Sequence, residues 1–159
     1  MKKILFIAAL LAVTFVNKSF AQENKVQSQL SQLLTSYYGI KDALVAGNIN
    51  TASTSAEQFV KTLQGIDEIT VSKDKQNALL SDAGHISETK DIKHQREHFT
   101  SLSNNMVALA KSLKLTTEPI YQAYCPMKKA NWLSRDKAIK NPYYGSSMLT
   151  CGKVVETIN

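Results

Sequence analysis

Cysteine is scarce in this chain of 159 residues, which contains only Cys125 and Cys151. Two cysteines are too few for the cysteine-rich sites that commonly bind structural zinc. Neither of them lies near the N-terminal apolar segment, so the chain also lacks the cysteine that a bacterial lipoprotein acylates after cleavage of its signal peptide. The cysteine content therefore argues against a cysteine-rich structural zinc site and against a bacterial lipoprotein.

Recognisable enzyme motifs and clusters of basic residues are absent as well. We find no nucleophile elbow, glycine-rich phosphate loop or zinc-protease helix motif, and we expect no enzymatic activity. The chain has 19 basic and 13 acidic residues, but Lys2, Lys3 and Lys18 belong to the N-terminal segment, and without them the net charge falls from +6 to +3. Nucleic-acid binding requires clustered positive charge, so we expect no nucleic-acid partner.

The N-terminus has the order of a secretory signal peptide. Met1-Lys2-Lys3 precedes an apolar run over residues 4–16, and Ser19-Phe20-Ala21 supplies small residues for cleavage. We predict a signal peptide over residues 1–21 and a mature single domain over residues 22–159. The apolar run is too short for a transmembrane helix, and no second run follows, so we expect a periplasmic or secreted protein without membrane insertion after cleavage.

Four segments have apolar residues at helical spacing. In the first segment the apolar residues recur in steps of three and four: Val26, Leu30, Leu33, Tyr37, Ile40 and Leu44. Gly47 is expected to end this helix, Asn50 or Thr51 to cap the second, and Ser72 or Asp74 the third. The fourth is predicted over residues 91–113. The sequence thus predicts a mainly α protein, with an antiparallel four-helix bundle over residues 22–115.

The pattern changes after residue 115. All three prolines of the chain, Pro119, Pro126 and Pro142, lie in this last part. We expect residues 120–124 to be extended and Trp132 to lie in a helix-like turn, with an irregular C-terminal cap over residues 116–159. A cap with little regular hydrogen bonding needs a covalent or metallic link to hold it together.

Both cysteines have a methionine within three positions, in Cys125-Pro126-Met127 and Met148-Leu149-Thr150-Cys151. Thiolate and thioether sulfurs suit Cu(I) and other soft ions, so these four residues are candidate ligands for copper or silver. The alternative is a disulfide between Cys125 and Cys151, which an exported protein can form and which would stabilise the fold by about 3 kcal/mol. The two states exclude each other at any moment but allow metal capture that depends on redox state.

Histidines are the other candidate ligands. His94 and His98 are four residues apart on the fourth predicted helix, the spacing at which two imidazoles can bind one metal ion. Two surface histidines are the more common explanation of this spacing. If the cap folds onto this helix, His98 can supplement the sulfur ligands. His85 has no partner within reach on its own helix.

Several motifs together resemble a known family. They are Tyr37-Tyr38-Gly39-Ile40-Lys41-Asp42-Ala43-Leu44-Val45, His94-Gln95-Arg96-Glu97-His98-Phe99, Leu102-Ser103, Cys125-Pro126-Met127, Trp132-Leu133-Ser134, Asn141-Pro142-Tyr143-Tyr144-Gly145 and Met148-Leu149-Thr150-Cys151-Gly152. The chain resembles, over nearly its whole mature length, an uncharacterised periplasmic domain family of Bacteroidetes. That domain occurs alone behind a signal peptide and also fused to the periplasmic adaptor subunits of copper and silver efflux pumps.

The resemblance implies heavy-metal handling in the periplasm. The chain departs from many relatives in having Tyr124, and not His or Gln, before the Cys-Pro-Met motif, and a shorter insert before Trp132. We therefore expect a copper- or silver-binding module whose partner is a periplasmic efflux adaptor, with Cys125, Met127, Met148 and Cys151 as ligands and His98 as an auxiliary. The alternative is a structural or protein-interaction domain that is stabilised by a disulfide and binds no metal.

Overall fold

A computed structural model of the chain describes residues 22–159 in full, and for residues 2–21 it gives the backbone alone, as the beginning of the first helix. The predicted signal peptide therefore lies outside the fully described residues. Among the described residues, no helix is long and apolar enough to cross a membrane.

The four predicted helices are present, and they follow one another in the order α1 (Lys2–Ala46), α2 (Ile49–Gln64), α3 (Lys73–Glu88) and α4 (Ile92–Ser112). Each helix packs mainly on the next one along the chain, whereas α1 and α4 meet in few places. The apolar residues predicted on the first stripe are buried from Leu30 onward, because they share one face of α1.

Specific residues end and cap the helices, which allows the connections between successive helices to be short. Gly47 ends α1 in a left-handed conformation with φ +72°, as predicted, since a residue without a β-carbon adopts it readily. Asn48, and not Asn50 or Thr51, caps α2, because its side-chain oxygen accepts a hydrogen bond from the backbone N–H of Thr51 at 3.0 Å. Asp91 caps α4 in the same way through Lys93 N–H at 2.8 Å.

The C-terminal part is more regular than predicted. It contains a three-stranded antiparallel sheet with the strand order β2 (Ala130–Ser134), β1 (Ile120–Cys125), β3 (Lys153–Ile158). The prediction of an irregular cap was therefore wrong, and so was the helix-like turn at Trp132, which pairs with Ala123 across β1 and β2. The expected extended segment at residues 120–124 is confirmed as β1.

One hydrophobic core joins the sheet to the helices. Phe99 of α4 stacks on Tyr37 of α1 with ring centroids 5.3 Å apart, and Tyr143 lies 5.9 Å from Phe99 and 6.0 Å from Trp132. All four rings are almost fully buried. Large aromatic surfaces contribute much of the burial that holds such layers together, so Trp132 and Tyr143 attach the sheet and its loops to the bundle.

Candidate metal centres

The two cysteines meet at one end of the sheet. Cys125 is the last residue of β1 and is fully buried, while Cys151 lies half-buried in the loop before β3. Their Sγ atoms are 3.8 Å apart and both thiols are free. A disulfide has its sulfurs about 2.05 Å apart, so this separation is that of two thiols in contact.

The turn after β1 directs a backbone amide at the first sulfur. Residues 126–129 connect β1 to β2, with Lys129 in a left-handed conformation, and the N–H of Lys128 donates a hydrogen bond to Cys125 Sγ at 3.4 Å. An N–H pointing at sulfur stabilises the thiolate more than the thiol. The hairpin thus prepares Cys125 for ionisation.

A buried asparagine holds the second cysteine in place. Asn141 is fully buried, and its Nδ2 donates a hydrogen bond to the carbonyl oxygen of Cys151 at 2.7 Å. Its Oδ1 accepts one from Tyr143 N–H at 2.9 Å, and its own N–H donates to the carbonyl of Leu149 at 2.8 Å. Both the side chain and the backbone N–H of Asn141 therefore hold the loop that carries Cys151, through the carbonyl oxygens of Cys151 and Leu149.

Gly152 allows the close approach of that loop to β2. Its φ is +148°, and a β-carbon at this position would lie 2.7 Å from Cη2 of Trp132 and 3.1 Å from the carbonyl oxygen of Tyr124. Any larger residue would push the segment outward, and Cys151 with it.

The two thiols differ in acidity. Burial opposes ionisation of Cys125, but hydrogen bonds from Lys128 N–H, the Asn141 side chain and Cys151 outweigh it and lower the pKa of the Cys125 thiol below its ordinary value. Desolvation, and next the hydrogen bond to Cys125 and its charge, raise the pKa of Cys151. Of the two thiols, Cys125 therefore loses its proton more readily, and the Cys151 thiol is placed to donate a hydrogen bond to the thiolate that forms.

The neighbouring methionines are not part of the core. Met127 is 63% exposed and Met148 is 40% exposed, whereas Met106 of α4 is fully buried. Met127 follows Cys125 in the hairpin turn, and the carbonyl of Met148 accepts a hydrogen bond from Cys151 N–H at 3.1 Å. Since neither thioether is used in packing the core, both remain accessible as ligands.

A second group of ligand atoms lies between α3 and α4. One ring nitrogen from each of His85, His94 and His98 falls within 4.8 Å of the others, and in the fully described part of the chain no other group of three or more His, Cys, Asp or Glu side chains meets this criterion. His98 also contacts Asp82 of α3, with Nδ1 and Oδ1 3.2 Å apart. His98 therefore lies in a group that does not include the two cysteines.

His85 was not among the predicted ligands, because helical spacing relates only residues on the same helix and its partners lie on α4. A signal was nevertheless available. The connection between α3 and α4 spans only residues 89–91, and His85 and His94 lie at nearly equal distances before and after it. Two helices joined by so short a turn pack side by side, so residues placed symmetrically about the turn come together.

Residues 33–118 match a family described as "Protein of unknown function (DUF3347)". The chain belongs to this family. The match includes all three histidines and Asp82 but stops before Cys125, so it is narrower than the resemblance over nearly the whole mature chain that the motifs indicated. Searches of curated proteins and of solved structures found no match.

Proposed function

We propose that this DUF3347 protein is an exported binding module for a soft monovalent ion, Cu(I) or Ag(I), held by the thiolates of Cys125 and Cys151. The observation that carries the proposal is the 3.8 Å separation of their two sulfurs. Soft ions prefer thiolate and thioether ligands over oxygen and nitrogen. The chain is proposed to bind metal without catalysing a reaction.

The geometry of the sulfur pair supports a site with more than two ligands. With a metal–thiolate distance of about 2.3 Å, as for zinc, sulfurs 3.8 Å apart place the ion off the line between them, at an S–metal–S angle of about 110°. One side of such an ion stays open. Met127 and Met148 are the accessible sulfurs next to the pair in sequence, and we propose that they complete the coordination and favour a soft ion over zinc.

The proposed setting follows from the sequence. The signal peptide predicted over residues 1–21 would direct the protein to the periplasm or outside the cell, where we propose that it passes its ion to a periplasmic efflux adaptor. The resemblance to domains fused to such adaptors motivates this partner. We also infer that neighbouring helices run antiparallel, because only Gly47 and Asn48 separate α1 from α2.

A disulfide-stabilised domain without metal is the second candidate. The same proximity of Cys125 and Cys151 favours it, because small movements of the two side chains would bring their sulfurs to bonding distance. In that case the cysteines would contribute stability alone, and the exposed methionines would have no role in binding.

Titration of the reduced, tag-free protein with Cu(I) under anaerobic conditions, against a chromogenic chelator, tests the proposal. We expect one tightly bound ion, loss of binding in Cys125→Ser and Cys151→Ser, and weaker binding in Met127→Leu and Met148→Leu. Met106→Leu is the matched control, since it makes the same exchange in the buried core and should leave affinity unchanged.

The two candidates give opposite results in this experiment. Binding that survives both cysteine substitutions would reject the sulfur site. A protein that contains no free thiols when purified, and that does not compete for Cu(I) even after reduction, would reject the metal module and support the disulfide-stabilised domain.

A further inference from the structure

We infer that His85, His94 and His98 form a second metal site, separate from the sulfur pair, which takes a divalent transition-metal ion of borderline softness such as zinc. Neutral imidazole is the nitrogen ligand that such ions prefer. Three protein ligands with an open fourth position are a common arrangement for zinc.

The three rings are already clustered, with those of His85 and His98 stacked and that of His94 edge-on to both. The centroids of His85 and His98 are 4.3 Å apart, those of His94 and His98 are 4.6 Å apart, and those of His85 and His94 are 6.0 Å apart. Zinc–nitrogen distances of 2.0–2.1 Å require ligand nitrogens about 3.3 Å from one another, so the group must contract from its present limit of 4.8 Å. Side-chain rotation can achieve this, because His85 is exposed and the other two histidines are only half-buried.

Asp82 provides an independent indication of a ligand. A carboxylate only accepts hydrogen bonds, so the 3.2 Å contact between its Oδ1 and His98 Nδ1 places the ring proton on Nδ1. The lone pair of Nε2 is then available to a metal. Histidine ligands in metal sites commonly donate their other ring N–H to a carboxylate in this way, which fixes both the tautomer and the ring orientation.

Two secondary structure elements build the site, and the short turn between them sets its geometry. Asp82 and His85 are one turn apart on α3, and His94 and His98 are one turn apart on α4. Because α3 and α4 are joined by only three residues, binding of one ion would link the two helices beyond their packed core. We therefore expect the bound ion to raise the unfolding temperature as well as to occupy the site.

The composition of the chain simplifies the test. The protein has only three histidines, and all of them belong to this group, so any imidazole signal from tag-free protein reports on the site. Zinc also binds thiolates, and the titration is therefore done in a Cys125→Ser/Cys151→Ser background. In wild type loaded with Cu(I) at the sulfur pair, the same titration serves as a second measurement should the double variant fold poorly.

Calorimetric titration with Zn²⁺, together with NMR spectra of the imidazole nitrogens, is expected to show one bound ion and shifts in all three histidines. His85→Ala should abolish this binding without loss of helix content, because His85 is exposed on α3. Asp82→Ala should weaken Zn²⁺ binding by about 10- to 100-fold. Asp82→Asn should weaken it less, because the asparagine side chain keeps an oxygen that can accept a hydrogen bond from His98 Nδ1–H.

Glu97→Gln is the matched control. It removes an exposed charge beside His98 in sequence but leaves all three imidazoles in place, so Zn²⁺ affinity should hardly change. Absence of Zn²⁺ binding in both the serine background and the Cu(I)-loaded protein would overturn the inference, as would binding that persists in His85→Ala. Either result leaves the Cu(I) proposal untouched, because that proposal depends on different residues.

Discussion

The phenol oxygen of Tyr37 accepts a hydrogen bond from the backbone N–H of Leu133 at 3.0 Å. The same oxygen lies 2.7 Å from Ser103 Oγ, so one buried side chain of α1 bonds both to α4 and to strand β2. Burial raises the pKa of Tyr37 well above its ordinary value, and the group stays neutral. This contact is a polar link between the bundle and the sheet that carries Cys125.

Removal of the Tyr37 hydroxyl should therefore destabilise the protein. In Tyr37→Phe the N–H of Leu133 and the hydroxyl of Ser103 lose a buried partner, and we expect a loss of about 1–3 kcal/mol in the free energy of unfolding, measured in urea. Tyr124→Phe is the control, because Tyr124 is half-buried on β1 and the structure describes no hydrogen bond of its hydroxyl. Equal stability of Tyr37→Phe and wild type would contradict the proposed link.

The same exchange of glycine for alanine should have opposite effects at two positions. In Gly152→Ala the new β-carbon meets Trp132 at a backbone conformation that disfavours side chains, so we expect a loss of about 1–3 kcal/mol and weaker Cu(I) binding as Cys151 moves. In Gly84→Ala the β-carbon meets nothing within 4 Å on helix α3, and stability should rise by up to about 1 kcal/mol. Thermal unfolding of both variants, with Cu(I) titration of the first, checks the pair.

The acidities of the two thiols predict opposite shifts in the single-cysteine variants. Cys151→Ala removes a hydrogen-bond donor to the Cys125 thiolate, so the pKa of Cys125 should rise from its lowered value. Cys125→Ala removes the neighbouring negative charge, so the pKa of Cys151 should fall from its raised value. The ultraviolet absorbance of the thiolate, followed against pH in the reduced proteins, measures both, and shifts in the same direction would contradict the coupled arrangement.

The helices could be predicted from the sequence because their signals are local. Apolar residues such as Leu33, Tyr37 and Leu44 repeat with the helical period, and the prediction that Gly47 ends the first helix was confirmed at its positive φ. The sheet was missed because its pairing is not local. Strand β3 is mostly exposed, and its residues pair with β1 residues that lie 29 to 38 positions earlier, so no short window of sequence shows that Ile120 and Ile158 are partners.

The candidate sites were predictable to different degrees. Proximity of Cys125 and Cys151 was assumed from their residue types alone, and the structure does bring them together, through the β1–β2 hairpin and Asn141. The histidine group depends on packing between helices α3 and α4, which the stripe of a single helix does not reveal. In the sequence, this group is indicated only by the positions of His85 and His94, which lie at nearly equal distances before and after the short turn between α3 and α4.

The redox state of the sulfur pair should control both stability and metal binding. Oxidation of the two thiols by diamide would join residues 26 positions apart, and we expect the unfolding free energy to rise by about 3 kcal/mol as the unfolded chain loses conformational freedom. The disulfide has no thiolate to offer, so Cu(I) binding should disappear and should return on reduction. Urea unfolding and Cu(I) titration are measured on the same oxidised and reduced samples.

Cys151→Ser separates this effect from general oxidative damage. It cannot form the internal disulfide, so diamide should not raise its stability, whereas oxidation of the exposed Met127 and Met148 would affect it as much as wild type. If oxidised wild type still binds Cu(I) tightly, the thiolates are not the ligands, because both sulfurs are then in the disulfide. If bound Cu(I) instead slows disulfide formation in wild type, the metal ion and the disulfide compete for the same two sulfur atoms. The 3.8 Å contact between Cys125 Sγ and Cys151 Sγ predicts this competition.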